Sequence, residues 1–124
     1  MSSKLTGEER KELKRLQAAV NHLLGLNPKM KLVNLNQLGY LLEVATSEED
    51  EYPVSIIRSL LNLGDSQSSR MLDTWCQGNA KRNIEGFNLL NMVAADYDKR
   101  AKFVQLNSHG VKALRGLILK MKKE

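Results

Sequence analysis

The sequence has 124 residues, of which 42% are hydrophobic and 5% aromatic, and its formal net charge is +5 at pH 7. This length fits one domain with a modest core, and the apolar content excludes a disordered chain. No apolar run approaches the roughly 18 residues of a membrane span, and the N-terminus has no secretory apolar region, so we expect a cytoplasmic protein without a membrane partner.

Positive charge is concentrated in the second half of the sequence. Residues 1–52 contain seven Lys or Arg and eight Asp or Glu, whereas residues 53–124 contain twelve and six. This asymmetry favours a surface in the C-terminal half that binds a polyanion such as nucleic acid. A generally basic, solvated surface would give the same charge balance.

The N-terminal segment predicts an amphipathic helix. Thr6 and Glu9 have the spacing of a capping box, in which each side chain accepts from the other residue's backbone N–H. The apolar residues that follow recur at helical spacing along one stripe. They are Leu13, Leu16, Val20, Leu23 and Leu24. We expect the helix to end near Gly25.

A second helix and a short extended piece follow. Asn34 is the expected N-cap of a helix over residues 36–45. The extended piece "YPVS" ends in Ser55, which we expect to cap a short helix over residues 56–63.

The next helix begins after a tight turn. Gly64 is expected to end the short helix, and Asp65 or Ser66 to cap a helix over residues 67–77. The residues expected on its buried side are Met71, Leu72, Trp75 and Cys76. Two short helices that meet at a tight turn are typical of a helix-turn-helix.

The last third of the sequence predicts a hairpin and a final helix. The stretches "FNLLNMV" and "AKFVQL" indicate two strands, and the charged residues 94–100 between them indicate the tip of a β-hairpin. Asn107 is the expected N-cap of an amphipathic C-terminal helix.

These elements predict an α+β fold, mainly α. It is a winged helix-turn-helix with a two- to three-stranded wing sheet and flanking N- and C-terminal helices. We expect one domain over residues 1–124, built from an N-terminal helix (1–30) that could serve dimerisation, a winged core (31–106) and a C-terminal helix (107–124).

Within this pattern, two stretches match a known family: "DKRAKFVQLNSHG", Asp98 to Gly110, and "SRMLD", Ser69 to Asp73. With them, residues 35–119 resemble the MarR family of bacterial transcriptional regulators. The first stretch resembles the family's wing and the strand after it, and the second is similar to its recognition helix. There are two departures: the link "GNAKRNIE" is longer than usual, and a single C-terminal helix stands where family members often have two.

The resemblance implies a homodimer that binds a pseudo-palindromic DNA duplex and uses the first and last helices as its interface. MarR-like proteins often respond to small anionic or phenolic ligands, so an effector is compatible with this sequence, although no residue identifies one.

The first turns of the predicted recognition helix carry small and polar side chains suited to base edges. They are Ser66, Gln67, Ser69 and Arg70. Gln can pair with adenine and Arg with guanine in the major groove, each good pair contributing about 1–3 kcal/mol of discrimination. An exposed, well-capped helix start is the simpler alternative, and the wing favours DNA contact over it.

The predicted wing supplies the remaining DNA contacts. Arg100 suits insertion into a narrow minor groove, and Asp98 should hold Arg100 or cap the turn rather than face phosphate. We expect the other basic residues, Lys81, Arg82, Lys99 and Lys102, to contact phosphates. For Lys81 and Arg82 a solvated turn is an equal alternative.

The sequence gives little support to catalysis. His22 and His109 are far apart in sequence, and Cys76, the only cysteine, lies in a helical pattern that suggests a structural thiol in a reducing compartment. There is no Gly-rich phosphate loop and no Cys/His metal spacing, so we expect no enzyme, no cofactor and no metal.

Two alternatives to a sequence-specific regulator remain. A winged-helix fold can serve as a protein-interaction adaptor, for which the acidic residues 48–51 would be a natural contact. The protein could also bind duplex DNA without sequence preference, which would keep the dependence on salt and lose the discrimination between sequences.

Overall fold

The computed structural model describes residues 5–48, 51–94 and 102–123. The helices are α1 (Gly7–Leu26), α2 (Leu35–Thr46), α3 (Val54–Leu60), α4 (Asp65–Trp75) and α5 (Ser108–Lys123), with 3-10 turns at Pro28–Leu32 and Ala80–Arg82. The strands are β1 (Tyr52–Pro53), β2 (Gly78–Asn79), β3 (Ile84–Glu85), β4 (Leu90–Ala94) and β5 (Lys102–Leu106). This is the predicted mainly α winged helix-turn-helix. None of the described helices is long and apolar enough to cross a membrane.

The chain divides into two compact units, residues 1–32 with 112–124, and residues 33–111. In the first unit, α1 starts at the predicted capping box: Thr6 Oγ1 accepts from Glu9 N at 3.1 Å, and the Glu9 carboxylate accepts from Thr6 N at 2.8 Å. The ring of His22 contacts α5, with Nε2 lying 3.3 Å from the Ala113 carbonyl oxygen.

Most of the apolar stripe on α1 is exposed. Ala19 and Leu23 are buried, whereas four members of the stripe are 39–56% exposed. These four are Leu13, Leu16, Val20 and Leu24. On α5, Leu114 and Leu117 are buried and Ile118 and Leu119 are exposed. Both terminal helices therefore present apolar side chains to solvent.

The second unit holds the largest fully buried side chains among the described residues. These are Trp75, Tyr40, Leu41, Ile57, Leu90 and Val104, contributed by three helices and two strands. The N-cap prediction for α2 is confirmed, because Asn34 Oδ1 accepts from Gln37 N at 2.9 Å. Trp75 connects α4 to α2, since its Nε1 donates to the Gln37 carbonyl oxygen at 2.8 Å.

The predicted boundaries of the helix-turn-helix are wrong by a few residues. α3 begins at Val54, so Ser55 lies inside the helix and is not its cap; Pro53 occupies the N-cap without a side-chain bond. The helix ends because Asn62 adopts a left-handed conformation with φ 53°, and Leu63 N then donates back to Arg58 O at 2.9 Å.

Gly64 starts α4 rather than ending α3. It is the N-cap of α4, so Asp65 and Ser66 are the first helical residues instead of the cap. At the other end the helix stops at Trp75, and Cys76 is the C-cap with a half-buried side chain, neither fully buried nor inside the helix as predicted. Met71, Leu72 and Trp75 are buried as expected.

The sheet has the strand order β1-β5-β4, with both pairs antiparallel. Leu90 pairs with Leu106 and Ala94 with Lys102, which confirms the predicted hairpin strands. β4 begins at Leu90 rather than at Phe87, because Phe87 N donates to the Thr74 carbonyl at the end of α4 instead. The cap prediction for α5 is confirmed, since Asn107 Oδ1 accepts from Gly110 N at 2.8 Å.

Candidate nucleic-acid interface

The outward face of α4 carries the polar residues that the sequence assigned to base contact. Ser66, Gln67 and Arg70 are exposed and Ser69 is half-buried. The opposite face is formed by Ser68, Met71, Leu72 and Trp75, which are buried. The first half of the helix therefore presents small side chains, one amide and one guanidinium to solvent, on a scaffold fixed by its buried side.

The start of α4 is tied to α3 by an ion pair between the side chains of Arg58 and Asp65. Asp65 lies in the first turn, where a carboxylate complements the positive end of the helix dipole. Asp65 is largely exposed and Arg58 is partly exposed, so solvent screens the pair and its contribution to stability is small.

The link "GNAKRNIE" forms a small structure that the sequence interpretation missed. β2 and β3 pair antiparallel, with Gly78 opposite Glu85 and Asn79 opposite Ile84, and the 3-10 turn lies between them. We call residues 78–85 the linking hairpin. Its two ends meet, so the extra residues form a closed protrusion and do not lengthen the path from α4 to β4.

Two glycines and two asparagines make this closure feasible. Gly78 has φ 86°, and a side chain at Gly86 would overlap backbone atoms of residues 76–78. Asn79 Oδ1 accepts from the backbone N–H groups of Lys81 and Arg82 at 3.1 and 3.3 Å. Asn83 ends the turn in the left-handed region with φ 56°. These residues are the signal in the sequence that could have revealed the hairpin.

The linking hairpin lies against α4 through side-chain contacts. Arg82 Nη1 donates to Ser69 Oγ at 2.9 Å and lies 3.4 Å from Asp73 Oδ2. Asn79 Nδ2 donates to the same Asp73 oxygen at 3.2 Å. The Asp73 side chain is only 19% exposed, so this carboxylate is shielded and already bonded. Sequence reasoning did not identify Asp73 or Asn79 as part of the interface.

The other predicted basic residues differ in their surroundings. Lys81 is exposed at the tip of the linking hairpin, and Lys102 is exposed at the start of β5. Lys102 also lines an open cavity of about 520 Å³, together with Arg58 and Ser69 among others. Asp98, Lys99 and Arg100 lie outside the described residues, so their assigned roles stay predictions.

Buried titratable groups in this unit are structural. Burial raises the pKa of Tyr40 to about 12 and the pKa of the Cys76 thiol to about 11, so both are neutral at physiological pH. A thiol with a raised pKa is a poor nucleophile. In the part of the chain that the structure describes, no group of three or more His, Cys, Asp or Glu could hold a metal ion.

Comparisons with known proteins address the fold. No protein-family model matches the chain, and no curated protein matches it in sequence. Among solved structures, the chain is similar to the S. aureus MepR–DNA complex, with 16% identity, a TM-score of 0.64 and coverage of 94% of this chain and 82% of that chain.

Two further solved structures give the same picture. AbsC, a MarR family transcriptional regulator from Streptomyces coelicolor, is 18% identical with a TM-score of 0.52 and coverage of 98% and 78% of the two chains. A point mutant of E. coli MarR, complexed with operator DNA, is 14% identical with a TM-score of 0.54 and coverage of 89% and 67%. At these identities the likeness concerns architecture: the chain has the winged-helix fold of MarR-family regulators.

Proposed function

We propose that this protein is a sequence-specific regulator of transcription that binds double-stranded DNA as a homodimer in the cytoplasm. The observation that carries the proposal is the outward face of α4. Ser66, Gln67 and Arg70 project from a helix whose other side is buried. The linking hairpin, which carries two basic residues, contacts the same helix. A recognition helix needs such a face, because small residues let the backbone approach base edges while Gln and Arg read them.

The remaining contacts follow from the charge of each residue. Lys81, Lys99 and Lys102 are assigned to phosphates, which supply affinity without sequence information. Arg100 is assigned to the minor groove, with Asp98 holding it in place. Arg82 belongs to the same interface. The structures of MepR and of a MarR mutant, each in complex with DNA, support DNA as the partner of this chain.

The exposed apolar side chains of the terminal helices support the homodimer. Leu13, Leu16 and Val20 on α1 are 52%, 56% and 39% exposed, and Ile118 and Leu119 on α5 are 47% and 59% exposed. An apolar surface of this kind on two amphipathic helices is typical of an interface. We assign the second copy of the chain as its occupant, and such a dimer would bind a two-fold pseudo-palindrome.

Selection from randomised duplexes tests the proposal most directly. We expect an enriched motif with approximate two-fold symmetry. Binding of that duplex should weaken with salt, because each phosphate contact adds about −0.9 to the slope of log K against log[salt]. If duplexes bind and no motif is enriched, the protein is a sequence-independent DNA-binding factor. If none binds at low salt, the DNA proposal fails and the adaptor function becomes the better hypothesis.

Light scattering tests the oligomeric state separately. Wild-type protein should have twice the mass of the chain at tens of micromolar. The double variant Leu16→Glu with Val20→Glu should be monomeric, because it places charges in the apolar stripe. Leu35→Glu is the matched control: Leu35 is 85% exposed on α2, outside that stripe, and the variant should remain dimeric. A wild-type monomer under these conditions would contradict the homodimer.

A further inference from the structure

The linking hairpin holds one arginine in a fixed position on the recognition helix. Arg82 Nη1 donates to Ser69 Oγ at 2.9 Å and lies 3.4 Å from Asp73 Oδ2. Ser69 and Asp73 are four residues apart and so lie on one face of α4. Asp73 is anchored in turn by Asn79 Nδ2 at 3.2 Å. The guanidinium is therefore attached to the helix that reads DNA, although Arg82 is not part of that helix.

The backbone that carries Arg82 is fixed as well. Its N–H donates to Asn79 Oδ1 at 3.3 Å inside the 3-10 turn, and β2 and β3 close the hairpin on both sides of the turn. Lys81, the preceding residue, has an exposed side chain with no hydrogen bond in the described parts of the chain. Arg82 is thus held in one orientation, whereas the exposed side chain of Lys81 can adjust its position to contact a phosphate.

Only one nitrogen of the guanidinium is used by these contacts. Across residues 5–48, 51–94 and 102–123, Nε and Nη2 of Arg82 make no hydrogen bond, and the side chain is 40% exposed. These two nitrogens form one edge of the planar fork, which can donate two parallel hydrogen bonds. Guanine presents O6 and N7 in the major groove as the matching pair of acceptors.

The ion pair with Asp73 argues against a purely electrostatic role for Arg82. A carboxylate beside the guanidinium offsets its charge, which weakens its attraction to a phosphate. It also keeps the fork in one orientation, which lowers the entropy that binding would otherwise cost. An oriented, partly neutralised arginine beside Ser69 and Asp73 of a recognition helix is better suited to reading a base than to binding a phosphate.

We propose that Arg82 reads a guanine in the major groove, and that Asp73, with Ser69, is the positioning residue that aims its guanidinium. This inference rests on the proposed function and differs from the sequence-based prediction that Arg82 contacts a phosphate. It adds a specificity-determining residue contributed by the linking hairpin, outside α4 and outside the wing.

The test compares binding motifs and salt dependence among single variants. Wild-type protein, Arg82→Lys, Asp73→Asn and Lys81→Ala are each subjected to randomised-duplex selection. Affinities for the wild-type motif and for a version changed at the affected base pair are then measured at several salt concentrations. Circular dichroism and thermal unfolding establish that each variant is folded.

Arg82→Lys keeps the charge and removes the fork. We expect it to lose discrimination at one G·C pair in each half-site by roughly 5- to 150-fold, the range for one bidentate arginine–guanine pair. The salt slope should stay at the wild-type value. Asp73→Asn should lose discrimination at the same base pair, because the guanidinium is no longer aimed. If Asp73→Asn fails to fold, Arg82→Lys decides the question alone.

Lys81→Ala is the matched control in the same hairpin. It should reduce affinity for all duplexes alike and make the salt slope shallower by about one phosphate, with the motif unchanged. If Arg82→Lys retains the full wild-type motif, the inference is overturned while the proposed function stands. If wild-type protein binds duplexes and enriches no motif, both the sequence-specific function and this inference fail.

Discussion

Replacing Gly86 by alanine should open the linking hairpin and destabilise the second unit. A Cβ at this position would overlap three backbone atoms, Gly78 N, Gln77 C and Cys76 O, at distances that real Cβ atoms do not show. No side chain can rotate away to make room, so the backbone of β2 or of the α4 C-cap has to move. We expect a loss of about 1–3 kcal/mol in the free energy of unfolding, the usual cost of overpacking.

A second glycine provides the matched control. Gly39 lies inside α2 in the same unit, and a Cβ there would meet only Leu61 Cδ2 at 3.8 Å, an ordinary van der Waals contact. Gly39→Ala should therefore stabilise the protein by about 0.5–1 kcal/mol, because alanine loses less conformational entropy in a helix. The two variants differ from wild type by the same methyl group and should shift stability in opposite directions.

Urea unfolding measures both effects, with the fluorescence of Trp75, the single tryptophan, as the probe. Trp75 is fully buried and lies 5.6 Å from Phe87, centroid to centroid, so it reports on packing next to the hairpin. The free energy of unfolding of Gly86→Ala could instead lie within about 0.5 kcal/mol of the wild-type value, a margin typical of neutral surface changes. In that case the close approach of residues 78 and 86 does not stabilise the closed hairpin.

Three further changes probe the core and the caps. Trp75→Phe should cost about 2–3 kcal/mol, since it removes the hydrogen bond to Gln37 O and leaves space in the core; far-UV circular dichroism in urea measures it. Asn107→Ala should cost about 1–2 kcal/mol by removing the cap on Gly110 N, measured in the same way. Burial raises the pKa of Tyr40 to about 12, above its unfolded value near 10, so the folded state keeps a proton that the unfolded state releases. The contribution of Tyr40 to the free energy of unfolding should be fully present below pH 10 and should fall by up to about 1.4 kcal/mol per pH unit between pH 10 and 12. The urea midpoint should therefore fall less steeply with pH for Tyr40→Phe than for wild type.

The sequence predicted those parts of the fold that depend on local interactions. The capping residues Thr6, Asn34 and Asn107 were identified because the side chain and the N–H that it accepts from are three residues apart. The hairpin strands were identified because two short stretches rich in apolar residues flank the charged residues 94–100. Both signals depend on residues that are close in sequence, so no knowledge of the tertiary structure was needed.

The errors at the helix-turn-helix have a common physical origin. The stretch "LNLG" offers two residues able to end α3, and the sequence interpretation chose the glycine. In the structure Asn62 takes the left-handed conformation, while Gly64 has an extended backbone with φ −73° and starts α4. Asparagine tolerates positive φ well enough to compete with glycine. Which of the two residues does so depends on how α3 and α4 pack.

The linking hairpin was missed because its contacts are tertiary. Its strands have two residues each, too short to show a pattern, and its main anchor is a carboxylate on another element. The sequence interpretation described the same residues as a long, basic link. Because the hairpin closes on itself, the length of the link is no obstacle to placing β4 directly after α4.

Under the proposed function, this closure also connects the stability of the hairpin to the recognition of DNA. If the hairpin acts on base readout only by presenting Arg82, then Gly86→Ala should weaken discrimination at the same base pair as Arg82→Ala. The double variant should then discriminate no worse at that pair than Arg82→Ala alone, because the second change has nothing left to misplace. The measurement is the affinity of wild type, both single variants and the double variant for matched and altered duplexes. Additive losses of discrimination would show that the hairpin contributes to readout by a route other than Arg82.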